Sequence, residues 1–238
     1  MGTVILLRHA RSTANQSGVL AGRTPGIGLD EHGVVQAQAL VARLAPVPLA
    51  AVVSSPAQRC VETITPLVTA RGVEPSLDDR LAEVDYGQWT SQPLRSLVKH
   101  PLWKVVQLHP SAAVFPDGEG LAEVQARAVA AVREWDAKIA AGHGADVVWL
   151  ACSHGDVIKA ILADALGLHL DSFQRIMIDP GSLSVVHYTE TRPFVWRTND
   201  SGGELADLAP RPKRRRRRPP RPASDAVVGG AVGGPVGA

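Results

Sequence analysis

Three short apolar runs, each cut off by residues that carry chemistry, constrain this chain more than any other feature. Val4-Ile5-Leu6-Leu7 stops at Arg8-His9. Ala51-Val52-Val53 stops at Ser54-Ser55-Pro56. Val147-Val148-Trp149-Leu150-Ala151-Cys152 stops at Ser153-His154-Gly155. Continuous apolar runs of this length suit strands buried on both faces, as in a parallel sheet. Helical stretches lie between them. Residues 32–45 place Val34, Ala37, Val41 and Leu44 on one face, with Asp30 as a cap. Ser55 as cap and Pro56 as first helical residue start a helix running through Arg59, Thr63 and Leu67, which Pro66 should kink or shorten. Residues 120–141 and 156–166 read as further helices, and Ser182–Tyr188 and Phe194–Arg197 as two strands joined by a turn. Strands alternating with helices predict an α/β fold whose mainly parallel sheet is covered on both faces.

In an open parallel sheet, ligands bind outside the carboxyl ends of the strands. The first run delivers Arg8 and His9 there, the second Arg59 one helical turn beyond Ser55-Pro56, and the third His154. Two arginines and two histidines converging on one point make an anion site, because guanidinium groups match phosphate oxygens and stay charged. A neutral imidazole can attack phosphorus and divide a hydrolysis into two easier displacements, while a second imidazolium offsets charge on the equatorial oxygens. The set needs an acid for the leaving oxygen. Glu83 is the candidate, and Asp85 and Asp156 are its rivals.

Leu7-Arg8-His9-Ala10-Arg11-Ser12-Thr13-Ala14-Asn15 resembles the Arg-His-Gly motif of the histidine phosphatase superfamily, in its phosphoglycerate-mutase-like branch. Ser55-Pro56-Ala57-Gln58-Arg59-Cys60-Val61-Glu62-Thr63 resembles the Ser-Pro-x-x-Arg-x-x-x-Thr segment of that branch. Leu81-Ala82-Glu83-Val84-Asp85-Tyr86-Gly87 resembles its general-acid segment, and Phe115-Pro116-Asp117-Gly118-Glu119 its Pro-x-Gly-Glu loop. Ser153-His154-Gly155 resembles the second histidine motif, and Leu29-Asp30-Glu31-His32-Gly33 with Gln36-Ala37 the start of the first helix. The segments come in the family's order across residues 3–197. The resemblance implies a three-layer αβα sandwich with His9 as nucleophile. Arg8, Arg59 and His154 would bind the phosphoryl group, Asn15 would line the pocket and Glu83 would donate the proton. No metal or dissociable cofactor is implied.

The departures from the pattern bear on substrate. Ala10 replaces the motif's glycine. Arg11 replaces an acid common in the mutases and adds positive charge near the mouth, and Val84 stands where phosphoglycerate mutases have arginine. Between residues 92 and 114 only Arg95, Lys99 and Lys104 are cationic, and none matches the paired arginines that hold a substrate carboxylate. The expected activity is therefore hydrolysis of small phosphorylated metabolites. The alternatives are a phosphomutase, or an inactive phosphate-binding scaffold, which the complete set Arg8, His9, Arg59, Glu83 and His154 argues against. Trp89 and Trp103 read either as a lid over the pocket or as packing residues. Cys60 and Cys152, the only cysteines, read as small buried hydrophobes. The remaining histidines, His32, His100, His109, His143, His169 and His187, read as surface or loop residues.

Composition separates the body from its end. The stretch after Pro210 holds eight of the 25 basic side chains and one of the 23 acids, so residues 1–210 carry a net charge of −5. From about residue 201, Gly, Pro and Arg replace the apolar residues that could offset chain entropy. The expectation is a catalytic domain over 1–200 and a disordered tail over 201–238. The basic run 213–218 would contact polyanions weakly and without specificity. No run approaches the roughly 20 apolar residues that span a bilayer, and the apolar N-terminal stretch is too short for a signal peptide. A cytoplasmic protein without membrane contact is expected, and a homodimer is compatible with the reading.

Overall fold

The first apolar run becomes β1 (Thr3–Arg8), an interior strand buried at every position. A computed structural model describes residues 1–144 and 146–202; the tail expected over 201–238 lies almost wholly outside the described residues. The second and third runs become β2 (Leu49–Ser54) and β4 (Val148–Ser153), with a two-residue β3 (Ser76–Leu77) between them in the chain. A hairpin of β5 (Leu183–Tyr188) and β6 (Pro193–Asp200) completes a six-stranded sheet of order β3-β2-β4-β1-β5-β6. The first four strands of that order pair in parallel, while β5 runs antiparallel to β1 and β6 antiparallel to β5.

Alternation along β1 divides the interior into two cores. Ile5 and Leu7 face helices α2 (Glu31–Leu44) and α3 (Gln58–Arg71), where they meet Leu40, Leu44, Ile64 and Leu67. Val4 and Leu6 face α6 (Leu121–His143) and α7 (Gly155–Ala165) in the larger core around Trp149. Each of these leucines and isoleucines contributes roughly 1.5–3 kcal/mol by burial. This is the expected αβα sandwich. Cys60 and Cys152 are buried free thiols in the smaller core. Among the described residues no helix is long and apolar enough to cross a membrane.

Local details depart from the expectations. Helix α2 buries Gly33, Ala37, Leu40 and Leu44, and Val34 is 45% exposed. The helix is turned from the expected face because Gly33 is pressed against the Arg11 backbone, where an added Cβ would lie 1.9 Å from the Arg11 carbonyl oxygen. Asp30 does cap it, accepting from Gly33 N. Helix α3 begins at Gln58, two residues later than Pro56, with no side-chain cap, and runs through Pro66 to Arg71 without being shortened. Of the other histidines, His187 is half-buried in β5, bonded to Thr3 Oγ1 and stacked on Trp196.

The segment before α6 holds a 3-10 turn at Gly87–Trp89 and the short helices α4 (Leu94–Leu97) and α5 (Pro101–Leu108), preceded by α1 (Thr13–Ser17) earlier in the chain. Trp89 and Trp103 stack at 6.2 Å between ring centroids, and Trp89 also meets Phe115 edge-on. Both indoles are nearly inaccessible, so they form the core of this segment and not a lid. Gly87, at φ +49°, and Gly118 sit where two chain segments cross. A Cβ on Gly87 would lie 2.0 Å from Pro116 O, and one on Gly118 2.3 Å from Asp85 O. Only glycine permits that approach.

Candidate active site

Because β2, β4 and β1 are neighbours, their carboxyl ends lie side by side. Arg8 is paired in register with Ser153, and Ser54 with Cys152. That register brings His9 and His154, 145 residues apart in the chain, to a ring-centroid distance of 5.2 Å. The loop carrying His9 is fixed by its backbone: His9 N donates to Ser153 O, and Gly181 N donates to the carbonyls of Arg8 and His9. Ala10 N donates to Thr63 Oγ1, which ties the loop to α3.

The hydrogen bonds of the two histidines define their tautomers. Nδ1 of His9 lies 2.8 Å from the Ala10 carbonyl oxygen. A carbonyl only accepts, so Nδ1 carries the proton and Nε2 keeps its lone pair. Arg59 Nε points at that lone pair from 3.3 Å. In His154, Nδ1 lies 3.0 Å from Arg59 NH2 and Nε2 lies 2.8 Å from Ser55 Oγ. A guanidinium only donates, so Nδ1 accepts and Nε2–H donates to the serine. Burial pushes both histidines well below the ordinary value, with Arg59 the next largest influence on each. Buried beside Arg59, His9 and Arg8, the His154 ring is pushed toward its neutral form.

Glu83 closes the site. It is 5% exposed, and its Oε2 lies 3.8 Å from His154 Nδ1. Burial is the main cause that pushes its pKa up to about 7, the negative charge of Asp156 adds to it, and Arg59 opposes. Its main chain is clamped, with Arg23 Nε and Arg127 NH2 both donating to Glu83 O. Glu119, in the Pro-x-Gly-Glu loop, pairs with both of those arginines and accepts from Asp85 N. The rivals of Glu83 are otherwise engaged. Asp85 accepts from Gly87 N, and Asp156 bonds Tyr86 and Lys159.

A pocket of about 360 Å³ opens onto His9, Arg59 and Glu83, walled by Ser12, Asn15, Val19, Leu20, Tyr86 and Leu94 among others. Asn15 spends its Oδ1 on Ser12 N and Oγ, so the group it has left for a ligand is its amide NH2. Arg8 is wholly buried beside the pocket, with NH1 donating to Ile178 O. Arg11, expected to add charge at the mouth, is instead paired with Asp30 at 2.6 Å and does not line the pocket. Ser55 and Tyr86 were not anticipated as site residues. The Ser-Pro pair marked Ser55 as a helix cap, although its hydroxyl serves His154; nothing local marked Tyr86. Among the described residues no group of three or more His, Cys, Asp or Glu side chains is placed to hold a metal ion.

Comparison with known proteins agrees with this geometry. Residues 4–201 match the histidine phosphatase superfamily (branch 1). The chain is 30% identical over 205 residues to phosphoserine phosphatase 1 of Hydrogenobacter thermophilus, covering 84% of this chain and 92% of that protein. Bacillus stearothermophilus YhfR superposes with a TM-score of 0.74 at 25% identity, over 84% of this chain and 98% of that one. A mycobacterial glucosyl-3-phosphoglycerate phosphatase, solved with VO3, superposes with a TM-score of 0.73 at 21% identity, over 83% and 98%; that likeness is one of fold.

Proposed function

This chain belongs to the histidine phosphatase superfamily, branch 1, and from that premise we propose that it hydrolyses small phosphomonoesters through a phosphohistidine on His9. The observation that carries the reading is the His9 tautomer. Nδ1–H is anchored on Ala10 O, so the Nε2 lone pair is the one available to phosphorus.

In the first step Nε2 attacks phosphorus and the bond to the bridging oxygen breaks. That oxygen takes the electron pair together with the proton of Glu83. In the second step Glu83 accepts a proton from water as the water oxygen attacks phosphorus, and the P–N electron pair returns to Nε2. One water is consumed, and Glu83 ends protonated as it began. Arg8, Arg59 and His154 hold the phosphoryl oxygens, and a phosphate dianion beside His154 favours the protonation that its present neighbours oppose. Glu83 also borders an outer groove of about 1100 Å³ lined by Arg23, Gln58 and Asp79, a route for water.

Hydrolysis is favoured over mutase chemistry by the pocket wall. Arg59 is the one Lys or Arg lining the pocket among the described residues, and Arg95, Lys99 and Lys104 are exposed elsewhere. Nothing there is suited to retain a carboxylate-bearing intermediate. The test is a phosphate-release screen over sugar phosphates, nucleotides, phosphoserine, phosphoglycerates and an aryl phosphate. Trapping of the phosphoenzyme by an alkaline denaturing quench runs beside it. Turnover with a base-stable, acid-labile phosphoryl adduct supports the reading. Conversion of 3-phosphoglycerate to its 2-isomer, primed with the 2,3-bisphosphate and faster than any phosphate release, overturns it in favour of a mutase.

A further inference from the structure

Behind the pocket lies a pair of buried charges that the reaction as written does not use. Asp156 stands in the first turn of α7, 1% exposed, and Lys159 follows at 2%. Lys159 Nζ lies 3.2 Å from Asp156 Oδ1. The other carboxylate oxygen, Oδ2, accepts from the Tyr86 hydroxyl at 2.8 Å. Tyr86 in turn lines the pocket of His9. On its far side Lys159 donates to Gln174 Oε1 at 3.1 Å and lies over the Phe173 ring, and Gln174 reaches Val106 O in α5. Two apolar side chains of the same volume would usually stabilise such an interior equally well or better. The position of the pair is better explained by what its charge does nearby. Ammonium and phenol both donate here, so both Asp156 oxygens act as acceptors.

We propose that Asp156 is a positioning residue for the acid step: its carboxylate, held by Tyr86 and Lys159, keeps the proton on Glu83 for the leaving oxygen. The proposal rests on Glu83 being the acid. The groups facing Glu83 show why one is needed. Strand β1 and the residue after it contribute Arg8 and His9, α3 contributes Arg59, and the junction of β4 with α7 contributes His154 and Asp156. The 18–28 segment adds Arg23 and α6 adds Arg127, both on the Glu83 carbonyl. Of the other anions nearby, Glu119 is spent on Arg23 and Arg127, and Asp179 acts on Arg8. Without Asp156, burial alone would hold the proton on Glu83 against the charges of Arg59 and Arg8. Asp156 is indeed the second cause, after burial, that raises Glu83.

The test uses Asp156→Asn and Tyr86→Phe in the full chain, with kcat/KM measured against pH on 4-nitrophenyl phosphate and on a primary alkyl phosphate. The alkyl leaving group needs the proton; the aryl one scarcely does. In D156N the alkaline limb should move down by about one pH unit, so that above pH 7 the alkyl ester loses about tenfold and the aryl ester little. Y86F removes one hydroxyl, weakens the hold on the anion, and should shift the limb the same way by less; it carries the test if D156N fails to fold. Equal losses on both esters with an unmoved limb would show a merely structural role and overturn the proposal. An E83Q enzyme that keeps the wild-type limb would overturn it too, by removing the acid. Wild-type enzyme inactive on both esters would instead overturn the phosphatase reading.

Discussion

His9, on the pocket, and His154, packed behind it, come from the ends of two hydrogen-bonded strands, whereas Leu20 and Leu94, on the pocket wall, come from a loop and a four-residue helix. The rim is fixed by the sheet itself. The register of β1 on β4 sets the separation of the two imidazoles, and backbone bonds at Ser153 and Gly181 hold the loop after β1. The wall hangs on a few loop-to-loop bonds: Leu20 N to Gln92 O, Ser91 N to Leu20 O, and Leu94 N to Gly18 O. The carboxyl ends of interior strands tolerate little displacement, so the proposed chemistry is anchored there. Irregular segments change length and sequence at low cost, which suits the part proposed to meet the rest of the substrate.

The comparison breaks most sharply at His9. His9→Ala should lower phosphatase turnover by about four to six orders of magnitude, because no neighbour can supply a lone pair at that place. The fold should survive, with the loss of one buried side chain costing roughly 1–2 kcal/mol. The measurements are initial rates and a thermal melt. Substantial activity in the variant would move the nucleophile off the strand end.

Glu83→Gln comes next, with turnover of alkyl phosphates expected to fall by about 10²–10⁴-fold. The same variant reads the buried carboxyl through stability. The ordinary value of 4.5 rises to about 7 in the folded protein. Between those values the native state keeps a proton that the unfolded chain has released, so Glu83 makes wild-type stability fall as pH rises. The fall approaches roughly 3 kcal/mol by pH 8. His9 and His154, depressed on folding, act the other way below 6.5, where the unfolded chain takes up protons that the native state refuses. Urea unfolding at pH 5 and pH 8 should therefore show E83Q gaining on wild type at pH 8. An equal difference at both pH values would place Glu83 in ordinary solvent.

How much of this was legible in the sequence follows the same division. The strand ends were readable because an apolar run that stops at a charged residue has one sensible place in a parallel sheet. Arg59 was readable because it lies one helical turn beyond the Ser-Pro pair that follows β2, although α3 itself begins only at Gln58. Ser55 was misread because a Ser-Pro pair is the usual sign of a helix start, and only the fold brings His154 to its hydroxyl. The Val34 face failed because the close approach of Gly33 to Arg11, not hydrophobicity, sets the rotation of α2. The bond from Tyr86 to Asp156 spans 70 residues and has no local signature. The wall was unreadable for a related reason. Pro93, Pro101 and Pro110 break it into pieces too short for periodicity, and Trp89 finds Trp103 only through tertiary packing.

Changing the wall should retune the enzyme without disabling it. Leu94→Arg puts a cation on the pocket lining while leaving the backbone bond to Gly18 O in place. One charge-assisted hydrogen bond to a carboxylate is worth roughly 1.5–3 kcal/mol. Part of that is lost in desolvating the arginine, so kcat/KM for 3-phosphoglycerate relative to an aryl phosphate should rise about tenfold. An unchanged ratio would mean that the leaving group does not meet this wall.

The smallest effect is expected at Arg11, two residues beyond His9 and still off the pocket. Its guanidinium Nε lies 2.6 Å from Asp30 Oδ2, and the same aspartate caps α2 through its other oxygen. The main chain of Arg11 is held independently, its N–H on Gln36 Oε1 and its carbonyl accepting from Asp30 N. Arg11→Ala therefore removes an ion pair and leaves the loop that carries His9 in place. The arginine side chain is 35% exposed, so solvent screens the pair and its loss should cost about 0.5 kcal/mol. Asp30 keeps its capping bond, which limits the loss further. The value of kcat/KM should stay within about twofold for neutral and anionic leaving groups alike, since the nearest charge to the phosphoryl group comes from Arg8 and Arg59. A KM raised about tenfold for an anionic substrate alone would show Arg11 leaving Asp30 to meet the ligand. The division between a rigid rim and an adjustable wall would then have to be redrawn to include the first loop after β1.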